Sequence, residues 1–173
     1  DAAQGAKILE IAEKEDFNFS EVDDLGSITK NDSYIDIHID EVLALSLVDA
    51  DTIRKAKFKV VVDGVNSTGG IAIPKLLKEL GVEVVELYCD PTGHFPHNPE
   101  PLKEYLGDIC ELVLKEKADF GIVVDPDVDR LAFISDDGEM FGEEYTLVAC
   151  ADYVLAKTPG STVSNLSSSR ALR

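Results

Sequence analysis

The 173-residue sequence predicts an α/β fold: a three-layer domain built on a parallel sheet, with a helical segment ahead of it. Three observations carry this. The runs KFKVVVD (57–63), VEVVELY (82–88) and DFGIVVD (119–125) have the length and apolar continuity of strands covered on both faces. Helix-patterned segments separate them, and a βαβαβ order implies parallel pairing through crossovers. At 45% apolar residues, the chain has the material for a core.

Taken in order, AAQGAKILEIAEKE (2–15) reads as a short helix with Ile8, Ile11 and Ala12 on one face. FNFSEVDDLGSITKND (17–32) is a polar loop. In SYIDIHIDEVLALSLV (33–48) the isoleucines at 35, 37 and 39 alternate like a strand. Ile35, Ile39, Val42 and Leu43 also fit a helix, which is the expectation here. His38 lies on that segment without an evident partner and reads as a surface or packing residue. Composition shifts within DADTIRKAKFKVVVDG (49–64), from strongly acidic to mixed, and marks a boundary.

After the first strand, VNSTGG turns the chain into a helix, IAIPKLLKELG. Pro74 is tolerated only near a first turn, so that helix starts close to residue 70, and Gly81 ends it. CDPTGHFPHNPE (89–100) is a loop of turn formers. Pro101 opens a helix reaching Ala118, with Leu102, Tyr105, Leu106, Ile109, Leu112 and Val113 on its apolar face. Beyond the third strand, LAFIS and EMFG flank Asp137-Gly138 as a hairpin. EEYTLVACADYVLAK (143–157) closes as a helix expected to bury Leu147, Val148, Ala151, Val154 and Leu155. GSTVSNLSSSRALR (160–173) holds an expected strand and a serine-rich stretch.

Charge and cysteines bound the function. With 16 Lys plus Arg against 34 Asp plus Glu, the net charge is −18, which argues against nucleic acid or an anionic membrane as partner. No run reaches the ~18 apolar residues of a membrane span, and the acidic start does not resemble a signal peptide. Three widely spaced cysteines, Cys89, Cys110 and Cys150, read as reduced thiols of a cytoplasmic protein.

The chemistry concentrates in DPDVDR (125–130), at the carboxyl end of the third strand, where ligands of such sheets bind. In extended backbone, side chains at i and i+2 leave on one side about 6.7 Å apart. Asp125, Asp127 and Asp129 can therefore converge on one ion if the chain curves. Unpaired, they repel one another. A hard divalent cation such as Mg²⁺ removes that cost and keeps positions for water or phosphate oxygens. Arg130 adds a guanidinium fork suited to a phosphate. The alternative is a solvated acidic turn.

An EF-hand is excluded, because Arg130 and Asp136 stand where its loop needs Gly and Glu, and a strand precedes it. A haloacid-dehalogenase-type phosphatase would use Asp125 as nucleophile, but normally has Thr or Val at the place of Asp129. DGVNSTGG lacks the Lys of a P-loop, and its glycines read as sites of tight packing. Cys89, His94 and His97 are weak zinc candidates without a fourth ligand. Ser67 and Ser167 to Ser169 are nucleophiles by type alone, outside any G-x-S-x-G elbow.

Three motifs in order resemble the α-D-phosphohexomutases: VVVDGVNSTGG, GHFPHNPEP, and DPDVDR followed by DDGEMFG. They are similar to the first strand and Gly-rich turn, the F-P-x-x-P-x-P loop and the metal-binding loop of that family's second domain. The resemblance implies residues 1–50 as the end of domain I with its linker helix, 51–158 as domain II, and 159–173 as the start of domain III. It implies a phosphoglucomutase or phosphomannomutase, in which a phosphoserine and a bisphosphorylated sugar interconvert hexose 1- and 6-phosphates. Asp125, Asp127 and Asp129 would then hold Mg²⁺, and Arg130 would contact the phosphoryl group. The family's T-A-S-H-N-P phosphoserine loop has no counterpart: PHNP at 96–99 carries Pro96 in place of the serine. Many members also have Gly where Pro126 stands. The expectation is a piece of a larger enzyme, inactive alone and completed by domains I, III and IV. The remaining alternative is a non-catalytic, metal-binding α/β interaction module.

Overall fold

The computed structural model describes residues 1–166 and 168, without the side chains of Glu143 and Glu144. They form two compact units, Asp1–Tyr34 and Ile35 onward. The first holds α1 (Ala2–Glu13), whose start is closed by a capping box between Asp1 and Gln4. Its helical reading holds, but none of its residues is buried. The loop after it carries one 3₁₀ turn, Val22–Asp24.

The second unit carries a four-stranded sheet ordered β2-β1-β3-β4. Its elements are α2 (Tyr34–Leu43), α3 (Ala50–Ala56), β1 (Lys59–Asp63), α4 (Gly69–Glu79), β2 (Glu83–Leu87), α5 (Gly107–Glu116), β3 (Phe120–Val124), β4 (Leu131–Ser135) and α6 (Glu143–Lys157). β1 pairs in parallel with β2 and β3. β4 runs antiparallel to β3, so the sheet is mixed rather than wholly parallel. The reason is length. Only the loop 125–130 joins β3 to β4, and a parallel return needs a crossover of a dozen residues or more. The expected hairpin follows, with Ile134 bridging Met140 across a turn whose Gly138 has φ +80°.

Strand alternation divides the core between two faces. Val61, Val123, Ala132 and Ile134 meet Leu106, Ile109 and Val113 of the α5 segment. Val60, Val62, Ile122 and Val124 meet Leu77 and Leu80, with Ile53 and Leu43 packed at the margin. Helices on both faces make the three layers.

Three elements depart from expectation. α3 is too short for periodicity to reveal; Asp49 caps it by accepting the Thr52 N–H at 3.0 Å. The helix expected from Pro101 is divided: a 3₁₀ turn spans Lys103–Tyr105, and α5 begins only at Gly107, a poor helix former. α6 buries none of its described side chains fully, and Leu147 and Val154 are exposed. Its apolar positions run almost unbroken along YTLVACADYVLA, so one packed stripe cannot cover them all. Residues 159–166 form no strand, and Ser167 and 169–173 lie outside the described residues.

The N-terminus of α4 is set by backbone proximity. A Cβ at Gly70 would stand 2.6 Å from the Cα of Cys89, and one at Gly64 would stand 2.4 Å from the Gly70 nitrogen. Gly70→Ala should therefore cost about 1–3 kcal/mol in urea unfolding. Gly107→Ala, where a Cβ meets nothing within 4 Å, should change stability little.

All three cysteines are free. Burial pushes the Cys89 thiol up to about 11, whereas Cys150 is exposed on α6. Alkylation at mildly alkaline pH should modify Cys150 first and Cys89 last, as peptide mapping would show.

Candidate metal centre

β1 and β3 lie side by side and both run into a buried aspartate, Asp63 and Asp125, at 1% and 5% exposure. A buried carboxylate needs donors, and the following loops bend back to supply them. The Val65 N–H reaches Asp63 at 2.9 Å, and the Arg130 N–H reaches Asp125 at 3.0 Å. This bending places non-glycine residues in left-handed backbone after each parallel strand: Val65 and Asn66, Tyr88, and Val128. For a β-branched residue that conformation is costly, and such residues cluster where a site needs a particular loop path.

In the loop after β3, carboxylate oxygens of Asp125, Asp127 and Asp129 lie within 4.8 Å of one another. Asp125 is buried, while Asp127 and Asp129 are exposed. Burial alone would raise the Asp125 carboxyl. The Arg130 N–H, the neighbouring Asp127 and Asp129 side chains and the Asp129 N–H outweigh it and hold the group below its ordinary range. Asp129 bears the consequence. Its contact with Asp125 and the charge of Asp127 push its carboxyl up, with Arg130 opposing. Three converging oxygens that disturb one another in this way suit a hard cation. In an octahedron with bonds of about 2.0–2.1 Å, adjacent ligands stand roughly 2.9 Å apart and opposite ones roughly 4 Å, so the loop would draw these oxygens closer together around an ion.

Arg130 lies between two sets of acids. Its Nη1 donates to Glu100, while its Nε lies 3.9 Å from Asp125 Oδ2 and 3.9 Å from Asp129 Oδ1. Glu100, by hydrogen bond and charge, holds the guanidinium more firmly charged.

The remaining sequence candidates are placed elsewhere. Cys89 Sγ lies 3.4 Å from the carbonyls of Val62 and Leu87, and among the described residues only the three aspartates form a metal-sized group. The zinc reading therefore has no geometry behind it. Ser67 Oγ donates to the Pro126 carbonyl at 2.9 Å, bracing the loop after β1 against the aspartate loop. Ser168 Oγ meets Asn165 Oδ1 at 2.9 Å. His38 is exposed.

Sequence reasoning missed the pair beneath the site. His97 Nε2 lies 3.0 Å from Asp63 Oδ2, and its Nδ1 lies 2.7 Å from the Asn98 carbonyl. A carbonyl can only accept, so Nδ1 carries a proton. Burial raises the Asp63 carboxyl, and the Val65 N–H and His97 offset this in part. The signal available was an aspartate ending an apolar strand, as at Asp125. Nothing in the letters joined it to a histidine 34 residues away.

Known proteins resemble this chain in sequence and fold. The profile of phosphoglucomutase/phosphomannomutase, alpha/beta/alpha domain II, matches residues 32–138. A phosphoglucomutase/phosphomannomutase of Thermococcus kodakarensis is 37% identical over 156 residues, covering 90% of this chain and 34% of that protein. A probable phosphoglucosamine mutase of Methanopyrus kandleri is 32% identical, covering 89% and 33%. The chain thus spans about a third of the length of the curated relatives it matches. A crystal structure of a phosphoglucomutase/phosphomannomutase family protein from Burkholderia thailandensis superposes with a TM-score of 0.68 at 28% identity, covering 92% of this chain and 33% of that one. With a profile match across well over half its residues, the chain belongs to the phosphoglucomutase/phosphomannomutase family, in the region of that family's alpha/beta/alpha domain II.

Proposed function

We propose that the chain is the metal-binding part of a phosphohexomutase that interconverts hexose 1-phosphate and hexose 6-phosphate through a phosphoserine and a bisphosphorylated sugar. The observation that carries this is the convergence of Asp125, Asp127 and Asp129 beside Arg130 at the carboxyl end of β3, in a chain of this family. These three carboxylates would hold Mg²⁺, which when bound supplies charge neutralisation to a phosphoryl group. Arg130 binds and orients that group through its fork of N–H donors. Asp125, fixed by the Arg130 backbone N–H, sets the position of the other two ligands. Phosphoryl transfer is mainly positioning and charge neutralisation, so this division of labour suffices for one half of a site.

Under this proposal residues 1–50 belong to domain I and its linker, 51–158 to domain II and 159–173 to domain III. The phosphoserine, the sugar-recognition loop and the domain that binds the distal phosphate come from domains I, III and IV. The three free thiols and the net charge of −18 support a cytoplasmic enzyme acting on small phosphosugars rather than on nucleic acid or membrane. Among the described residues, no helix is long and apolar enough to cross a membrane.

Titrating Mg²⁺ while following the backbone amide signals of residues 125–130 tests the ligand set. The chain should show weak, saturable binding, and Asp127→Asn should weaken it about tenfold or more. Asp127 is exposed, so the substitution leaves the core intact. Identical titrations would remove the three aspartates as a site.

The chain alone should convert neither glucose 1-phosphate nor mannose 1-phosphate in a coupled assay. It should also leave p-nitrophenyl phosphate unhydrolysed. Hydrolysis of that ester, lost on Asp125→Asn, would instead favour a phosphatase with an aspartate nucleophile.

A further inference from the structure

Arg130 is already engaged by an anion supplied by the chain itself. One arm of its guanidinium holds the Glu100 carboxylate, and the Nε side faces Asp125 and Asp129. Glu100 is not a loose surface acid. Its own N–H donates to Asn98 Oδ1 at 3.1 Å, and the Asn98 carbonyl receives His97 Nδ1 at 2.7 Å. His97 is fixed in turn on Asp63, buried at the end of β1. A hydrogen-bonded limb thus runs from the sheet through His97 and Asn98 and ends with a carboxylate on Arg130. The fork geometry that recognises phosphate also recognises carboxylate, so both claim the same donors.

We infer that Glu100 is a built-in counter-anion that occupies Arg130 and is displaced when a phosphate monoester enters, with Asn98 as its positioning residue. This rests on the reading of Arg130 as the phosphate-binding group. The limb holds the guanidinium beside the aspartate loop while no phosphate is present. It also makes phosphate binding a competition, so that an incoming anion is held less tightly than the bare fork would hold it. An exposed ion pair competes modestly, which suits a group that must accept and release phosphate repeatedly.

The test uses inorganic phosphate as probe and the full chain at fixed Mg²⁺, followed through the amide signals of residues 125–130. Glu100→Gln should tighten phosphate binding by about 1.4-fold to fivefold, the range an exposed ion pair commands. Glu104→Gln removes the same charge four residues away and should leave affinity unchanged. Asn98→Ala should tighten binding in the unaltered chain but add nothing to Glu100→Gln, a non-additivity that a merely structural role would not produce.

No gain from Glu100→Gln, or an equal gain from Glu104→Gln, overturns the counter-anion while Arg130→Gln still weakens phosphate. An Asn98→Ala effect that adds fully to Glu100→Gln overturns the positioning role. If Arg130→Gln binds phosphate as the unaltered chain does, Arg130 is not the phosphate group and both readings fall together.

Discussion

Two neighbouring parallel strands that end in buried carboxylates set the terms for this edge of the sheet. Asp63 and Asp125 leave the ladder with almost no access to water. Each requires N–H donors that its own strand cannot give. The loops answer by folding back within five residues, through left-handed residues that extended backbone would never need. Once those paths are fixed, much else follows. The loop after β1 lies close enough for Ser67 to reach Pro126, and Asp127 and Asp129 are carried towards Asp125.

The two carboxylates then diverge in use. Asp63 takes a histidine and becomes structural, tying down the 89–101 loop. Asp125 takes backbone N–H groups of its own loop, the flank of a guanidinium and the carboxylates of Asp127 and Asp129, a cluster of acceptors with capacity for an ion. The difference lies in the partner each loop delivers rather than in burial, since both are buried. A net charge of −18 leaves room for local positive potential: Arg130 stands beside Asp125 and Asp129, carboxylates that a cation would neutralise.

How far the letters reached follows from sequence separation. β1, β2, β3 and the helices between them were legible because their apolar pattern is local and continuous. The aspartate trio was legible for the same reason, since alternation alone puts i and i+2 on one side. α3 escaped because seven residues carry too little periodicity, and the unbroken apolar run of α6 could not say which side would be covered. The His97–Asp63 and Glu100–Arg130 pairs span 34 and 30 residues and depend on where two loops meet. No local pattern encodes that meeting.

The reversal of β4 has a further consequence, for the order in which the site assembles. Because the chain turns straight back after β3, the three aspartates and Arg130 form the head of a hairpin whose ladder runs from Phe120–Ser135 to Val124–Leu131. The ladder between its own two strands is short-range, so closing it costs little loop entropy. The limb ending in Glu100 precedes α5 in the chain and reaches Arg130 across 30 residues, so it docks only after long-range closure. Contact order therefore favours a hairpin head carrying the three aspartates that forms as a local structure first, with the Glu100 carboxylate reaching Arg130 later.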